Sequence, residues 1–193
     1  SVVAVSLKKK KASLYGQVVD AWQVTIAGVG PSGPDKGAGG KYLFLPPGYE
    51  GAIPEGYFPI RSTSFRLALA FRSVPGKGAT QADAYAYTET LQVYPLAEAG
   101  NPQPTRFVDG LPLSIQTLPY YDIRALQDIH DFVDVEPVQE RDKVMVGMLA
   151  TIGIEKGKPF NPPPKLRAAM ERGVVDAYHY MQALTLKFLQ ENL

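Results

Sequence analysis

Few residues in this chain invite a chemical reading. Gly28-Val29-Gly30-Pro31-Ser32-Gly33 has the G-x-G-x-x-G spacing with which dinucleotide sites bring backbone amides to a pyrophosphate at the start of a helix. The residues that follow, 34–40, are too rich in proline and glycine for a helix, so the spacing is expected to be turn composition. Gly39-Gly40-Lys41 suggests a phosphate loop, but Asp35 stands where the first glycine belongs and Tyr42 replaces the magnesium-binding Ser or Thr. Ser32 sits among prolines that prevent the strained turn of a nucleophilic serine. His130 and His179 fall in no zinc-binding spacing, and each reads as an ordinary helix residue. Asp128, His130, Asp131, Asp134 and Glu136 lack the glycine and closing glutamate of a calcium loop and read as a solvated helix face. No catalytic residue, metal site or cofactor is assigned.

What remains is recognition chemistry. Residues 64–72 alternate as a strand, with Phe65, Leu67, Leu69 and Phe71 expected on the core face and Arg66 and Arg72 on the other. Arg66 or Arg72, with Tyr120 or Tyr121, forms the candidate binding set for an anionic or sugar-like ligand, since fixed cations beside aromatic rings suit such molecules. The competing reading is a surface ion pair with a loop acid. Tyr42, Tyr49, Tyr57, Tyr85 and Tyr87 fall near strand ends, where amphipathic rings line grooves or core edges.

Composition bounds the partners. Hydrophobic residues make up 45% and charged residues 20%, the profile of a soluble globular domain. The formal charge is +1, with a run of lysines at 8–11 that leaves the remainder slightly acidic. One basic run without interleaved aromatics is read as a solvated turn, and no nucleic-acid partner is expected. The absence of cysteine removes disulfides and thiolate chemistry. No apolar run approaches bilayer length, so no membrane span is expected.

These residues must be positioned by a β-rich front and a helical back. Strands are expected at 2–7, over 14–26, at 41–45, 57–61, 64–72 and 93–96, with one helix within 79–91 and a proline-punctuated loop over 100–119. Helices are expected at 122–134, at 138–151 with Pro137 tolerated in the first turn, and from Pro164 to the end. The fold class is α+β: a sandwich-like β unit of jelly-roll type over residues 1–120, then a helical segment over 121–193.

Three segments together carry a family resemblance. They are Gly37-Ala-Gly-Gly-Lys-Tyr-Leu-Phe-Leu-Pro-Pro-Gly-Tyr-Glu-Gly51, the arginine-ended strand to Arg72, and Ile152-Gly-Ile-Glu-Lys-Gly-Lys-Pro-Phe160. Over about residues 14–190 the chain resembles the bacterial family called domain of unknown function 1254. The resemblance implies a longer parent chain with a second β-rich domain, of unknown function 1214, after this one, and a periplasmic or secreted setting. It supplies no catalytic residue.

Two function classes stay open. One is a structural or small-ligand- or glycan-binding β module; the other is part of a hydrolase whose site a second domain completes. The last helix adds an expectation about partners. Its apolar stripe, Leu166, Met170, Val174, Ala177, Met181, Leu184 and Phe188, is too long for one small domain to cover, so a second β-rich domain or another copy of the chain is expected against it. Exposure of Met181, Leu184, Leu186, Phe188 and Leu189 within the single chain is the corresponding structural expectation.

Overall fold

A computed structural model describes residues 3–6, 12–114, 116 and 118–192. The lysine run at 8–11 lies outside the described residues. The chain divides into two compact units, Ser1–Leu111 and Pro112–Leu193. The architecture is α+β, with two small sheets in the first unit and helices in the second.

In the first unit, β1 (Val3–Ser6), β2 (Ala12–Asp20), β3 (Thr25–Val29), β4 (Lys41–Leu45), β5 (Tyr57–Arg61), β6 (Leu67–Pro75) and β7 (Gln92–Pro95) form sheets ordered β3-β2-β6 and β5-β4-β1-β7. All pairings are antiparallel except β4 with β5. The expected single strand over 14–26 is a hairpin instead. Asp20 breaks it: its Oδ1 accepts from the Trp22 and Val24 amides, each at 2.9 Å, and Gln23 turns through a positive φ of 60°. A carboxylate that satisfies turn amides locally competes with continued strand pairing.

The strand expected at 64–72 has the right phase but the wrong limits. It begins at Leu67 because Ser62 and Ser64 spend their hydroxyls on a local kink: Ser62 Oγ donates to the Ser64 carbonyl at 2.6 Å and Ser64 Oγ to that of Arg66 at 2.7 Å. Leu67 and Phe71 pack on the core, whereas Phe65 is 57% exposed and Leu69 38% exposed. Burial of all four together therefore fails. As an edge strand paired only to β2, β6 has less cover than its alternation suggests.

One cluster joins the two sheets. Leu14, Val18 and Val29 pack with Tyr42 and Phe44, and Ala84 and Tyr87 join them from helix α1 (Gln81–Thr88). Thr80 and Asp83 close the N-terminus of α1 with a reciprocal capping box, shortening the helix expected within 79–91. β4 is buried on both faces, since Leu43 and Leu45 form a second cluster with Tyr94.

In the second unit, α2 (Ile123–Val135) is capped by Asp122, whose Oδ1 accepts from the Arg124 amide. The next helix, α3 (Lys143–Ala150), starts later than expected. Pro137 lies in the extended stretch before a 3-10 turn at Glu140–Asp142, so it occupies no helical first turn. The last helix, α4 (Pro164–Asn192), buries Met170 but leaves Met181, Leu184, Leu186, Phe188 and Leu189 exposed.

The Ile152–Phe160 motif is a turn locked onto α2. Gly153 and Gly157 take positive φ, and the Gly157 amide donates to Asp134 Oδ1 at 2.7 Å. Lys156 Nζ donates to the Asp134 and Glu136 carbonyls at 2.8 and 3.1 Å. His130, expected to be an ordinary helix residue, is buried here. Its Nε2 donates to the Lys158 carbonyl at 2.7 Å, its Nδ1 lies 3.2 Å from Asp131 Oδ1, and its ring stacks on Phe160.

The Lys158 carbonyl and the Asp131 carboxylate beside the two ring nitrogens favour the imidazolium, with the Gln127 Nε2 also 3.5 Å from Nδ1. Its pKa is raised, first by the Lys158 carbonyl, against the opposing effect of burial, with Asp131 and Asp134 adding to the rise. The group's contribution is complete below its ordinary value of 6.5 and is lost as pH rises through the higher folded value. The unfolding midpoint of the second unit is therefore expected to fall over that window, and His130→Gln is expected to flatten the profile. Denaturation curves collected across neutral pH check this; an unchanged pH profile in the variant contradicts it.

Candidate functional site

The site is built on the outward face of the three-stranded sheet. Tyr15 pairs with Arg72 and Gln17 with Ala70 across β2 and β6, so all four side chains share the face opposite the core residues Leu14 and Val18. Gly16 lies between Tyr15 and Gln17 and allows the strands to close up: a Cβ there would meet the Ala70 carbonyl oxygen at 2.1 Å. The result is an open groove of about 540 Å³ with Gly16, Gly28 and Ala70 in its lining. Tyr15 and Arg72 stand along it, and Gln17, Thr25 and Ser32 add polar groups.

The G-x-G-x-x-G segment forms part of this lining, for a reason unrelated to phosphates. Gly30 has φ 90°, and a Cβ there would meet the Leu14 carbonyl oxygen at 2.2 Å. The segment turns back on itself, with the Gly33 amide donating to the Gly30 carbonyl at 2.8 Å. It is tied down by Asp35, a buried acid. Asp35 Oδ1 accepts from the Gly30 amide at 3.1 Å and from the Tyr42 hydroxyl at 2.6 Å, while Oδ2 accepts from the Gly39 amide at 3.0 Å. Tyr42 is itself buried in the shared core, and its phenol pKa is pushed well up, first by desolvation and then by its bond to Asp35.

Among the described residues Arg72 makes no hydrogen bond or ion pair, and it is exposed at the groove wall. Thr25 Oγ1 donates to Gln17 Oε1 at 3.1 Å, which fixes the amide so that its NH2 is the end left for another molecule. Arg66 is also exposed but lies before β6, outside the groove lining. Tyr120 and Tyr121 belong to the second unit. There the Arg124 guanidinium sits 3.9 Å from the Tyr120 ring centroid, and Tyr121 contacts Tyr178 at 4.2 Å between centroids. Arg124 also grips Asp122, holding that carboxyl down at about 2. Of the residues the sequence put forward for binding, Arg72 lies in the groove lining; Tyr15, Gln17 and Ser32, which line it too, were not put forward for binding. A glycine inside a strand pattern, Gly16, was the available signal of a close backbone approach.

Two other features lie in the first unit. A slot of about 190 Å³ is lined by Phe44, Leu45, Phe65, Leu67 and Leu69, with Ser62 and Ser64 already hydrogen bonded. The Tyr57 and Tyr94 hydroxyls lie 3.1 Å apart, and burial together with Tyr57 pushes Tyr94 up to about 12. Among the described residues no group of three metal-binding side chains converges.

Comparison with known proteins now adds a family match. Residues 2–95 match the family described as "Protein of unknown function (DUF1254)", in agreement with the resemblance carried by the glycine-rich strand and the segment to Arg72. The Ile152–Phe160 motif lies outside the matched residues. No curated protein matches the chain. The crystal structure of the VPA0106 protein from Vibrio parahaemolyticus is similar, with a TM-score of 0.63 at 18% identity over 92% of this chain. The alignment covers 44% of that protein, so this chain spans less than half of its length, and the likeness is one of fold.

The Asp35 tie generates a stability prediction. Tyr42→Phe leaves the carboxylate short of one buried donor at almost constant volume, and is expected to destabilise the first unit by about 1–3 kcal/mol. Tyr15→Phe removes a hydroxyl from an exposed ring and is expected to cost less than about 0.5 kcal/mol. Urea titrations of both variants measure the difference; equal midpoints contradict the assigned role of Asp35.

Proposed function

We propose that this chain is a sandwich-like, ligand-binding module of a larger extracytoplasmic protein, and that it takes a small anionic or sugar-like ligand in the groove between Tyr15 and Arg72. The observation that carries this reading is the uncommitted Arg72 guanidinium in a groove of about 540 Å³, a volume within the range of small-molecule sites. The neighbouring groups suit recognition. The phenol of Tyr15 offers a ring face, and Gln17 and Ser32 offer donors and acceptors. The described lining contains no carboxylate or imidazole, so a hydrolytic reading would require its acid and base from elsewhere.

Arg66 is retained in this proposal as an outlying member of the binding surface, and Tyr120 and Tyr121 as separate candidate binding residues of the second unit. The extracytoplasmic setting and a following β-rich domain of unknown function 1214 rest on the family resemblance. The exposed apolar residues of α4 support its role as the contact for that domain or for another copy of the chain.

Amide chemical shifts test the groove. A panel of neutral sugars, sugar acids and sugar phosphates is titrated at millimolar concentration into the labelled protein. At least one class is expected to shift Tyr15, Gln17, Gly28 and Ala70 together, and Arg72→Ala is expected to weaken that class by about tenfold. Shifts confined to other surfaces, or absent throughout, contradict the proposal.

A further inference from the structure

Resting on the groove reading above, we propose that its ligand is a monocarboxylate sugar acid of the hexuronate type, with the carboxylate on Arg72 and one face of the pyranose ring on Tyr15. The argument begins with charge. Arg72 is the only cation among the described lining residues, and a planar guanidinium pairs in a fork with a planar carboxylate.

A phosphate would need more than this. Phosphate sites on glycine-rich turns use free backbone amides that point at the anion. In the turn beside this groove three of those amides are already spent. The Gly30 amide donates to Asp35 and the Gly33 amide to the Gly30 carbonyl, while the Lys36 amide donates to the Gly33 carbonyl. The buried Asp35 carboxylate behind the turn also disfavours a dianion close by. A phosphate therefore meets one lining cation beside a turn whose Gly30, Gly33 and Lys36 amides are committed, whereas a carboxylate needs only the guanidinium fork.

The remaining groups distinguish a sugar acid from a simple aromatic acid. Tyr15 is 57% exposed and lies directly across from Arg72, so a ring bound through its carboxylate reaches the phenol face. Next along β2 is Gln17, held by Thr25 through its carbonyl oxygen, with its NH2 available to a hydroxyl. Ser32 adds a hydroxyl from the glycine turn, and Gly16 and Ala70 add little bulk beside Phe71, which also borders the groove. An aromatic acid would leave the amide and hydroxyls facing apolar edges, whereas a pyranose meets them with its own hydroxyls.

Titration of the labelled protein with sodium D-glucuronate, sodium D-galacturonate, D-glucose and D-glucose 6-phosphate tests the proposal. One or both uronates are expected to shift the amides of Tyr15, Gln17, Gly28 and Ala70 and to bind at least about tenfold more tightly than glucose or the phosphate ester. Arg72→Lys keeps the charge but loses the fork. It is expected to weaken uronate binding about tenfold while leaving the weak glucose response unchanged. If glucose or the phosphate ester binds in the groove as tightly as the uronates, the sugar-acid assignment is overturned and the groove reading stands. If no probe shifts the groove amides, both are overturned.

Discussion

A buried carboxylate, Asp35, organises the part of the first unit that borders the groove. It is removed from water and must find its hydrogen bonds inside the protein, since an unsatisfied buried charge is among the costliest features a fold can carry. Two backbone amides and the Tyr42 phenol supply them. Tyr42 in turn belongs to the cluster shared by the two sheets, so the anchor of the turn is continuous with the core. The glycines of this segment serve the same end, allowing the chain to press against β2 and reach the carboxylate.

This arrangement separates the groups that hold the turn from the groups that line the groove. The Gly30, Gly33 and Gly39 amides are consumed in holding the turn, and the groups proposed for binding are side chains on the outer sheet face. Those side chains come from strands in register, Tyr15 opposite Arg72 and Gln17 opposite Ala70, so their spacing follows from β pairing. In the second unit a comparable economy operates at His130, where a titratable ring is taken up by a carbonyl, a carboxylate and a phenyl face that hold the turn after α3.

How much of this could be read from the sequence depended on whether the deciding interaction was local. β4, β5 and α4 were legible because period-two or period-three-to-four patterns and their Gly/Pro boundaries are local signals. The hairpin at Asp20 and the late start of β6 were missed, since each depends on short polar side chains diverting the backbone, which apolar periodicity does not record. His130 was missed because its partners come from a turn 28 residues away. The placement of Arg72 on the face away from the core was legible from alternation alone. The rest of the groove was not, because its lining is assembled from β2, β6 and the glycine turn, and only Gly16 hinted at the close approach.

The central claim, that Asp35 holds the glycine turn and so builds the groove, is tested most directly by hydrogen exchange at the Gly30 and Gly39 amides. In the wild-type protein both are expected to exchange slowly, with protection approaching that of the β2 amides, and in Asp35→Asn both are expected to lose that protection while the β4 amides keep theirs. Exchange of Gly30 and Gly39 at unprotected rates in the wild type, or unchanged protection in Asp35→Asn, would contradict it.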